Sequence, residues 1–236
     1  MSHPLRLAVM QPYFLPYIGY FQLIAAADLF VVYDNIKYTK KGWINRNRML
    51  QNGTDAVFTL PLQQASDYLN VVERELAAEF DRNKLLQKIK GAYLRAPHFS
   101  STYPLLEEII RNRSNNLFEY ILYSITRTCE HMGIATAIRK SSEISIDHSL
   151  KSQDKVLAIC AALGADTYVN PIGGTELYSR ETFEEHGIAL QFLKTLPHEY
   201  PQLGNAFVPA LSILDVLMFN SVDEIRERML GNFEMI

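Results

Sequence analysis

The chain has 236 residues, 48% of them hydrophobic, with a formal net charge of −3 and two cysteines. That length and apolar content suit one α/β domain with a sizeable core. The near-neutral balance argues against nucleic acid or an anionic membrane surface as partner, and no apolar run reaches the length of a membrane span.

Met1-Ser2-His3-Pro4 leads straight into a short apolar run, too short for a secretory signal core, so a cytoplasmic location is expected. Leu5 to Met10 predicts a buried strand halted by Gln11-Pro12. Gly19 to Ala27 predicts a helix, and Leu29 to Tyr33 a second buried strand ending at Asp34-Asn35. Strand, loop, helix and strand at this spacing make a right-handed βαβ unit. A polar, basic segment follows from Lys37 to Arg48, and Ala56 to Pro61 predicts a further strand.

The middle reads as helical. Asp81 is placed to cap a helix running through Tyr93, which Pro97 closes off. Tyr103–Arg113 and Asn115–His131 predict two more helices, the second capped by Asn115 or Asn116 and ended near Gly133. Residues 81–133 therefore read as a helical insertion in one α/β domain over 1–236. Alternation then returns. A strand is predicted over Ala135–Arg139 and a helix over Lys151–Leu163 with Gly164 as its cap. Thr167–Asn170 predicts a strand, Pro171–Gly174 a tight turn, Glu181–His186 a short helix and Ile188–Leu193 a strand. Leu211–Asn220 and Val222–Leu230 close the chain as helices. The fold class expected is α/β, with a mostly parallel, doubly wound sheet. Cys129 and Cys160 fall in helical apolar stretches and read as buried free thiols.

In open α/β sheets ligands bind beyond the carboxyl ends of the strands. Three segments fall there. The loop Gln11-Pro12-Tyr13-Phe14-Leu15-Pro16-Tyr17-Ile18-Gly19-Tyr20 is stiffened by prolines. It offers tyrosine faces and hydroxyls, and Gly19 permits close approach where the helix begins. The competing reading is a rigid core turn. The second segment gathers Asp34, Lys37, Lys40, Lys41, Trp43, Asn45, Arg46 and Arg48. Its cations suit phosphates, Asp34 suits an amine or hydroxyl, and the lone tryptophan suits stacking; the plainer reading is a solvated loop. The third is the turn from Asn170 through Gly173 and Gly174 to Tyr178, where paired glycines can aim backbone N–H groups at an anion. It carries no Walker signature. The scattered histidines give no zinc motif, and no Gly-X-Ser-X-Gly elbow occurs. The expected catalytic set is Tyr20, Asp34 and Arg46. The expected substrate contacts are Gln11, Tyr13, Tyr17, Gly19, Lys40, Lys41, Trp43, Asn45, Asn170, Gly173, Gly174 and Tyr178, with no metal ligand.

Gln11-Pro12-Tyr13-Phe14-Leu15-Pro16-Tyr17-Ile18-Gly19-Tyr20-Phe21 and Lys41-Gly42-Trp43-Ile44-Asn45-Arg46-Asn47-Arg48 resemble signatures of the WbqC-like family. Leu94–Phe99, Asp166–Asn170 and Phe207–Asp215 agree with it, so the resemblance spans nearly the whole chain. It implies a place in bacterial O-antigen and lipopolysaccharide synthesis. The implied activity is transfer of an acyl or aminoacyl group, glycyl among them, to an amino sugar that is nucleotide-linked or carrier-borne. A more distant similarity to nucleotidylyltransferase-type (HUP-like) folds admits ATP with magnesium as a cosubstrate, and the cofactor is left open. There Tyr17 and Tyr20 replace the two histidines that grip phosphates, and tyrosine cannot supply an imidazolium charge. Nucleotidylyl transfer to a sugar or polyol phosphate, and a non-catalytic binding module in polysaccharide assembly, stand as alternatives. The partners expected are small molecules; the sequence leaves the oligomeric state open, a homo-oligomer included.

Overall fold

The structure is a computed structural model that describes residues 4–204 and 206–236; Met1 to His3, which precede the first strand, lie outside the described residues. In chain order the elements are β1 (Arg6–Met10), α1 (Ile18–Ala26), β2 (Leu29–Val32), β3 (Arg46–Gln51) and β4 (Thr54–Thr59). Then come α2 (Arg82–Tyr93), α3 (Phe99–Ile110), α4 (Leu117–Met132), β5 (Ala137–Lys140), α5 (Ser152–Leu163), β6 (Thr167–Pro171), α6 (Arg180–Glu185) and β7 (Ala189–Thr195). The chain closes with α7 (Ile213–Phe219), α8 (Val222–Glu224) and β8 (Phe233–Met235).

Six strands form one sheet in the order β5-β2-β1-β6-β7-β8, parallel throughout except for β8 against β7. The chain builds outward from β1 to β2 and β5, then returns to place β6 on the other side of β1. The order therefore reverses between β1 and β6, the switch point where open α/β sheets form their ligand crevice. Strand alternation divides the core. Leu7, Val9, Val31, Tyr168 and Leu190 face a cluster completed by Val156, Ile159 and Cys160 of α5 and Phe183 of α6. Ala8, Phe30, Val32 and Val169 face the larger cluster, completed by α1, α4 and α7 through Phe21, Ile24, Ile125 and Leu217. Helices thus cover both faces of this largely parallel sheet, as two-sided burial of apolar strands demands.

The insertion is helical as expected. Asp81 Oδ1 accepts from Lys84 N at 2.9 Å and Asn116 Oδ1 from Glu119 N at 3.0 Å, while Gly133 ends α4 in the left-handed region at φ 71°. α3 begins at Phe99, ahead of the expected Tyr103, and carries Pro104 within it. A tertiary bond holds the early turn: Thr102 Oγ1 donates to Leu217 O at 2.7 Å.

Three features depart from the sequence reading. The basic segment ends in a strand, β3, which pairs with β4 as a separate antiparallel hairpin outside the parallel sheet. Asn52 (φ 52°) and Gly53 (φ 77°) turn the hairpin, as an Asn-Gly pair is suited to do. The expected Pro171–Gly174 turn is longer, a 3₁₀ segment over Ile172–Leu177. The last expected helix shortens to α8 and runs into a π turn at Ile225–Met229, after which β8 adds an antiparallel edge. No helix among the described residues is long and apolar enough to cross a membrane. Both cysteines are buried free thiols, and burial pushes each up to about 12.

Candidate functional site

The loop after β1 is an inner layer clamped from two sides. Phe14 is fully buried, edge-on to Phe58 with ring centroids 5.9 Å apart, and its N–H donates to Ile44 O at 2.9 Å. Leu15 adopts φ 44°, unfavourable for a branched side chain, yet its side chain is buried and its carbonyl accepts two bonds. These come from Asn47 Nδ2 at 2.9 Å and Ser212 Oγ at 2.6 Å. Pro16 O accepts from Ile213 N at 2.7 Å, and Ser212 N donates to Arg48 O at 2.9 Å. Loop, β3 and the segment before α7 are thereby stitched together at one place.

Tyr17 stands at that place as the extended residue before α1, whose amino terminus has no side-chain cap. Two cavities meet at Tyr17 and Ala210. The larger, about 420 Å³, is walled by apolar Pro197, Phe207 and Val216, with Thr195, His198 and Tyr200 as polar members. The smaller, about 210 Å³, is bounded by Tyr13, Trp43, Asn47 and Arg48. Trp43 is 43% exposed, with the Arg46 and Arg48 guanidinium carbons 5.5 and 5.8 Å from its ring centre. Arg46 is held by the carbonyls of Gly42, at 2.9 Å, and Lys41; Arg48 reaches Asp55 Oδ2 and Ala210 O, both at 3.2 Å. Tyr13 is largely buried, which raises its phenol pKa, and its hydroxyl donates to Gln11 Oε1 at 3.4 Å.

Gly19 is required by this geometry. A Cβ there would lie 2.4 Å from Tyr17 Cε2 and 2.5 Å from Thr195 Oγ1. Gln22 is the polar member of an otherwise apolar helix. Its Nε2 donates to Met229 O at 2.7 Å and Asn232 O at 3.1 Å, while its buried Oε1 has no partner and the residue lines the larger cavity.

Of the expected residues, then, Tyr13, Tyr17 and Trp43 come together, with Gln11, Gly19 and Arg46 packed beside them. Others are placed elsewhere. Tyr20 is buried in the core at 2% exposure, donates its hydroxyl to Gln11 O at 2.9 Å and lines neither cavity. Asn45 is likewise spent, accepting from Tyr38 Oη at 2.8 Å and donating to Leu60 O at 2.7 Å. Lys40 pairs with Asp67 at 2.7 Å, and Lys41 is exposed. Asn170, Gly173, Gly174 and Tyr178 line neither cavity that meets at Tyr17. They pack on themselves: Tyr168 Oη donates to Asn170 Oδ1 at 3.1 Å and lies 3.3 Å from Tyr178 Oη. A Cβ on Gly174 would sit 2.0 Å from Asn170 Nδ2, so that glycine admits the asparagine.

Asp34, at the carboxyl end of β2, is 3% exposed and locks β2 to the end of β5. Oδ1 accepts from Ser141 Oγ at 2.8 Å and Ser142 N at 2.9 Å, and Oδ2 accepts from Ser142 Oγ. Burial alone would raise its pKa, but the Ser142 and Ser141 hydroxyls and the Ser142 amide outweigh burial and the net shift is downward. A depressed carboxyl contributes stability above its unfolded pKa of about 3.9 and loses it as pH falls through the folded value. Asp34→Asn is therefore expected to cost about 1–3 kcal/mol at neutral pH. In urea melts the deficit should vanish in acid below the folded pKa; an equal deficit at both pH values would refute the assignment.

The residues that sequence reasoning missed are Gln22, Asn47, Thr195, His198, Tyr200 and Ala210. Gln22 had a signal, a lone polar residue in an apolar helix. Ala210, at φ 54°, had none. Among the described residues no group of three or more His, Cys, Asp or Glu side chains is placed to hold a metal ion.

The profile of the WbqC-like protein family matches residues 11–227. The uncharacterized protein Rv1507c of Mycobacterium tuberculosis (strain ATCC 25618 / H37Rv) is 28% identical over 218 residues, covering 91% of this chain and 93% of that protein.

Proposed function

This chain belongs to the WbqC-like protein family, and from that premise we propose that it is an enzyme of bacterial surface-polysaccharide synthesis that joins an acyl or aminoacyl group, glycyl among them, to an amino sugar. The observation that carries the reading is the pair of cavities, about 420 and 210 Å³, meeting at Tyr17 and Ala210. Two adjoining chambers of different character suit a two-substrate reaction. Trp43 and Tyr13 give the smaller one faces for a sugar ring, and Arg48 gives it a cation for a phosphate. The larger one is apolar and aromatic with a few convergent polar groups, the usual make-up of a small-molecule pocket.

The chemistry is amide formation. The sugar amine nitrogen attacks the carbonyl carbon of an activated carboxyl; the C–N bond forms and the C–O bond to the leaving group breaks. The amine proton passes to a base. His198 lines the larger cavity and carries a ring nitrogen able to accept it. Activation by ATP releases pyrophosphate in forming an acyl adenylate, and AMP leaves when the amine attacks. Magnesium would enter with the nucleotide's own phosphates.

The test is incubation with ATP, glycine or short acyl donors, and nucleotide-linked 4-amino sugars, read by mass spectrometry for the amide and for AMP. The expected result is both products, lost in His198→Ala. Folded protein giving no product across the panel would sink the reading. Pyrophosphate release with a sugar phosphate and no amide would favour nucleotidylyl transfer.

A further inference from the structure

A second set of groups lies outside the Tyr17 cavities, in a hollow of about 260 Å³ between the start of the β3–β4 hairpin and the segment from Pro61 to Arg74. Arg74 lines it and is 3% exposed. Its guanidinium carbon stacks 4.7 Å from the Tyr38 ring centre, and one terminal nitrogen donates to Ser66 O at 2.9 Å. Its buried Nε has no acceptor, and no carboxylate among the described residues lies within ion-pair distance of it. A buried guanidinium is ordinarily paired, because desolvating an uncompensated charge is costly.

Lys40 shares the hollow. Its ammonium is 2.7 Å from Asp67 Oδ1, and Asp67 is more than half exposed. Lys40 holds the Asp67 carboxyl low, with Arg74 and Lys37 adding to the effect. Burial raises the Tyr38 phenol, and Arg74, Arg46 and Lys40 all oppose that rise. Glu75 is engaged by Gln63 Nε2 at 3.1 Å. Positive charge thus exceeds negative around an unspent buried donor.

We infer that Arg74 is the floor of an anion site that takes a phosphoryl group, with Lys40 at its rim. A phosphoryl group can accept from Arg74 and still offer oxygens to the Lys40 ammonium, whose pairing with Asp67 is exposed to solvent, which a single carboxylate does less well; Arg presents hydrogen bonds of the directed, charge-assisted kind that phosphate oxygens accept. The inference concerns binding alone and does not rest on the transferase reading.

Isothermal titration with inorganic phosphate, pyrophosphate, a nucleoside diphosphate and acetate, at ionic strength fixed with sodium chloride, tests it. One phosphate or pyrophosphate per chain is expected, with acetate much weaker. Comparing pyrophosphate with the nucleoside diphosphate tells whether the group arrives free or as an arm of a nucleotide. Arg74→Met should raise the Kd by about tenfold or more. In phosphate-free buffer its Tm should hold or rise, because an unpaired buried charge has gone. Gln64→Glu, which puts a carboxylate on the exposed lip without touching the fold, should also weaken binding while leaving Tm alone. Unchanged binding in Gln64→Glu, acetate binding as tightly as phosphate, or no phosphate binding by the parent protein would each overturn the assignment. So would an Arg74→Met variant that loses stability without phosphate yet keeps its full phosphate response.

Discussion

Asp215→Leu is expected to destabilise the protein by about 3–5 kcal/mol, more than any other single change considered. Asp215 is fully buried at the start of α7. Its Oδ1 accepts from Tyr93 Oη at 2.8 Å; its Oδ2 accepts from Tyr200 Oη at 2.8 Å and Gln202 Nε2 at 2.6 Å. Tyr93 Oη in turn accepts from Leu50 N at 2.8 Å, so one carboxylate fastens α2, the hairpin, the Tyr200 segment and α7. Leucine matches the size and offers no acceptor. The Tyr93 proton then faces an apolar group in a site closed to water, and the wall of the larger cavity at Tyr200 loses its tether. Burial raises the Asp215 carboxyl, against the bonds from Tyr93, Tyr200 and Gln202. For a raised carboxyl the stabilising contribution is complete below the unfolded pKa of about 3.9 and declines as pH rises through the folded value. The deficit of the variant should therefore be largest in acid and shrink toward neutrality, opposite to that of Asp34→Asn. Urea denaturation across this range measures both; a pH-independent deficit below about 1 kcal/mol would refute the network's role.

Gly19→Ala should leave the protein folded and cripple the site. The added carbon meets side-chain atoms, Tyr17 Cε2 and Cζ and Thr195 Oγ1, all within 2.5 Å. Tyr17 is partly exposed and can swing away, so the stability cost should stay within about 1–3 kcal/mol, the usual range for overpacking. Swinging Tyr17 away, however, moves a wall that both cavities share. A displacement of about 1 Å in a positioning group can cost about a hundredfold in rate. The expected result is a kcat/KM down by about that factor in the amide-forming assay, with Tm only modestly lower. Activity within about threefold of the parent would remove Tyr17 from the site.

The parallel sheet was legible because its strands are short apolar runs ended by Gln11-Pro12, Asp34-Asn35 and Asn170-Pro171, and because Asp81, Asn116, Gly133 and Gly164 punctuate the helices. β3 was not, since Arg46 and Arg48 alternate with Asn47 and Met49 so that no apolar face stands out, although Asn52-Gly53 marked the turn. For the candidate site, strand direction and the Gln11–Tyr20 loop pointed to Tyr13, Tyr17 and Trp43, which the fold brings to one cavity. Tyr20, Asp34 and Asn45 sit buried away from the two cavities, and a side chain's chemical capacity does not reveal whether neighbouring carbonyls and hydroxyls already engage it. The contribution of Thr195, His198, Tyr200 and Ala210 comes from contacts spanning most of the chain, such as Ser212 Oγ to Leu15 O, which no local pattern encodes.

The antiparallel β8 has a bearing on how copies of this protein meet. A parallel sheet ends in two bare flanks, each a row of unpaired amides and carbonyls able to recruit another chain. Here β8 lies along β7, with Phe192 and Ile236 exchanging backbone bonds at 2.9 Å in both directions, so the border on that side is a strand of only 3 residues running antiparallel to the rest. The opposite flank is β5, where Arg139 is exposed and Lys140 bonds Glu119 Oε1 at 2.7 Å. Charge on that strand discourages a second copy from stacking alongside. Polymerisation by strand addition is resisted at one border by the shortness of the edge and at the other by charge.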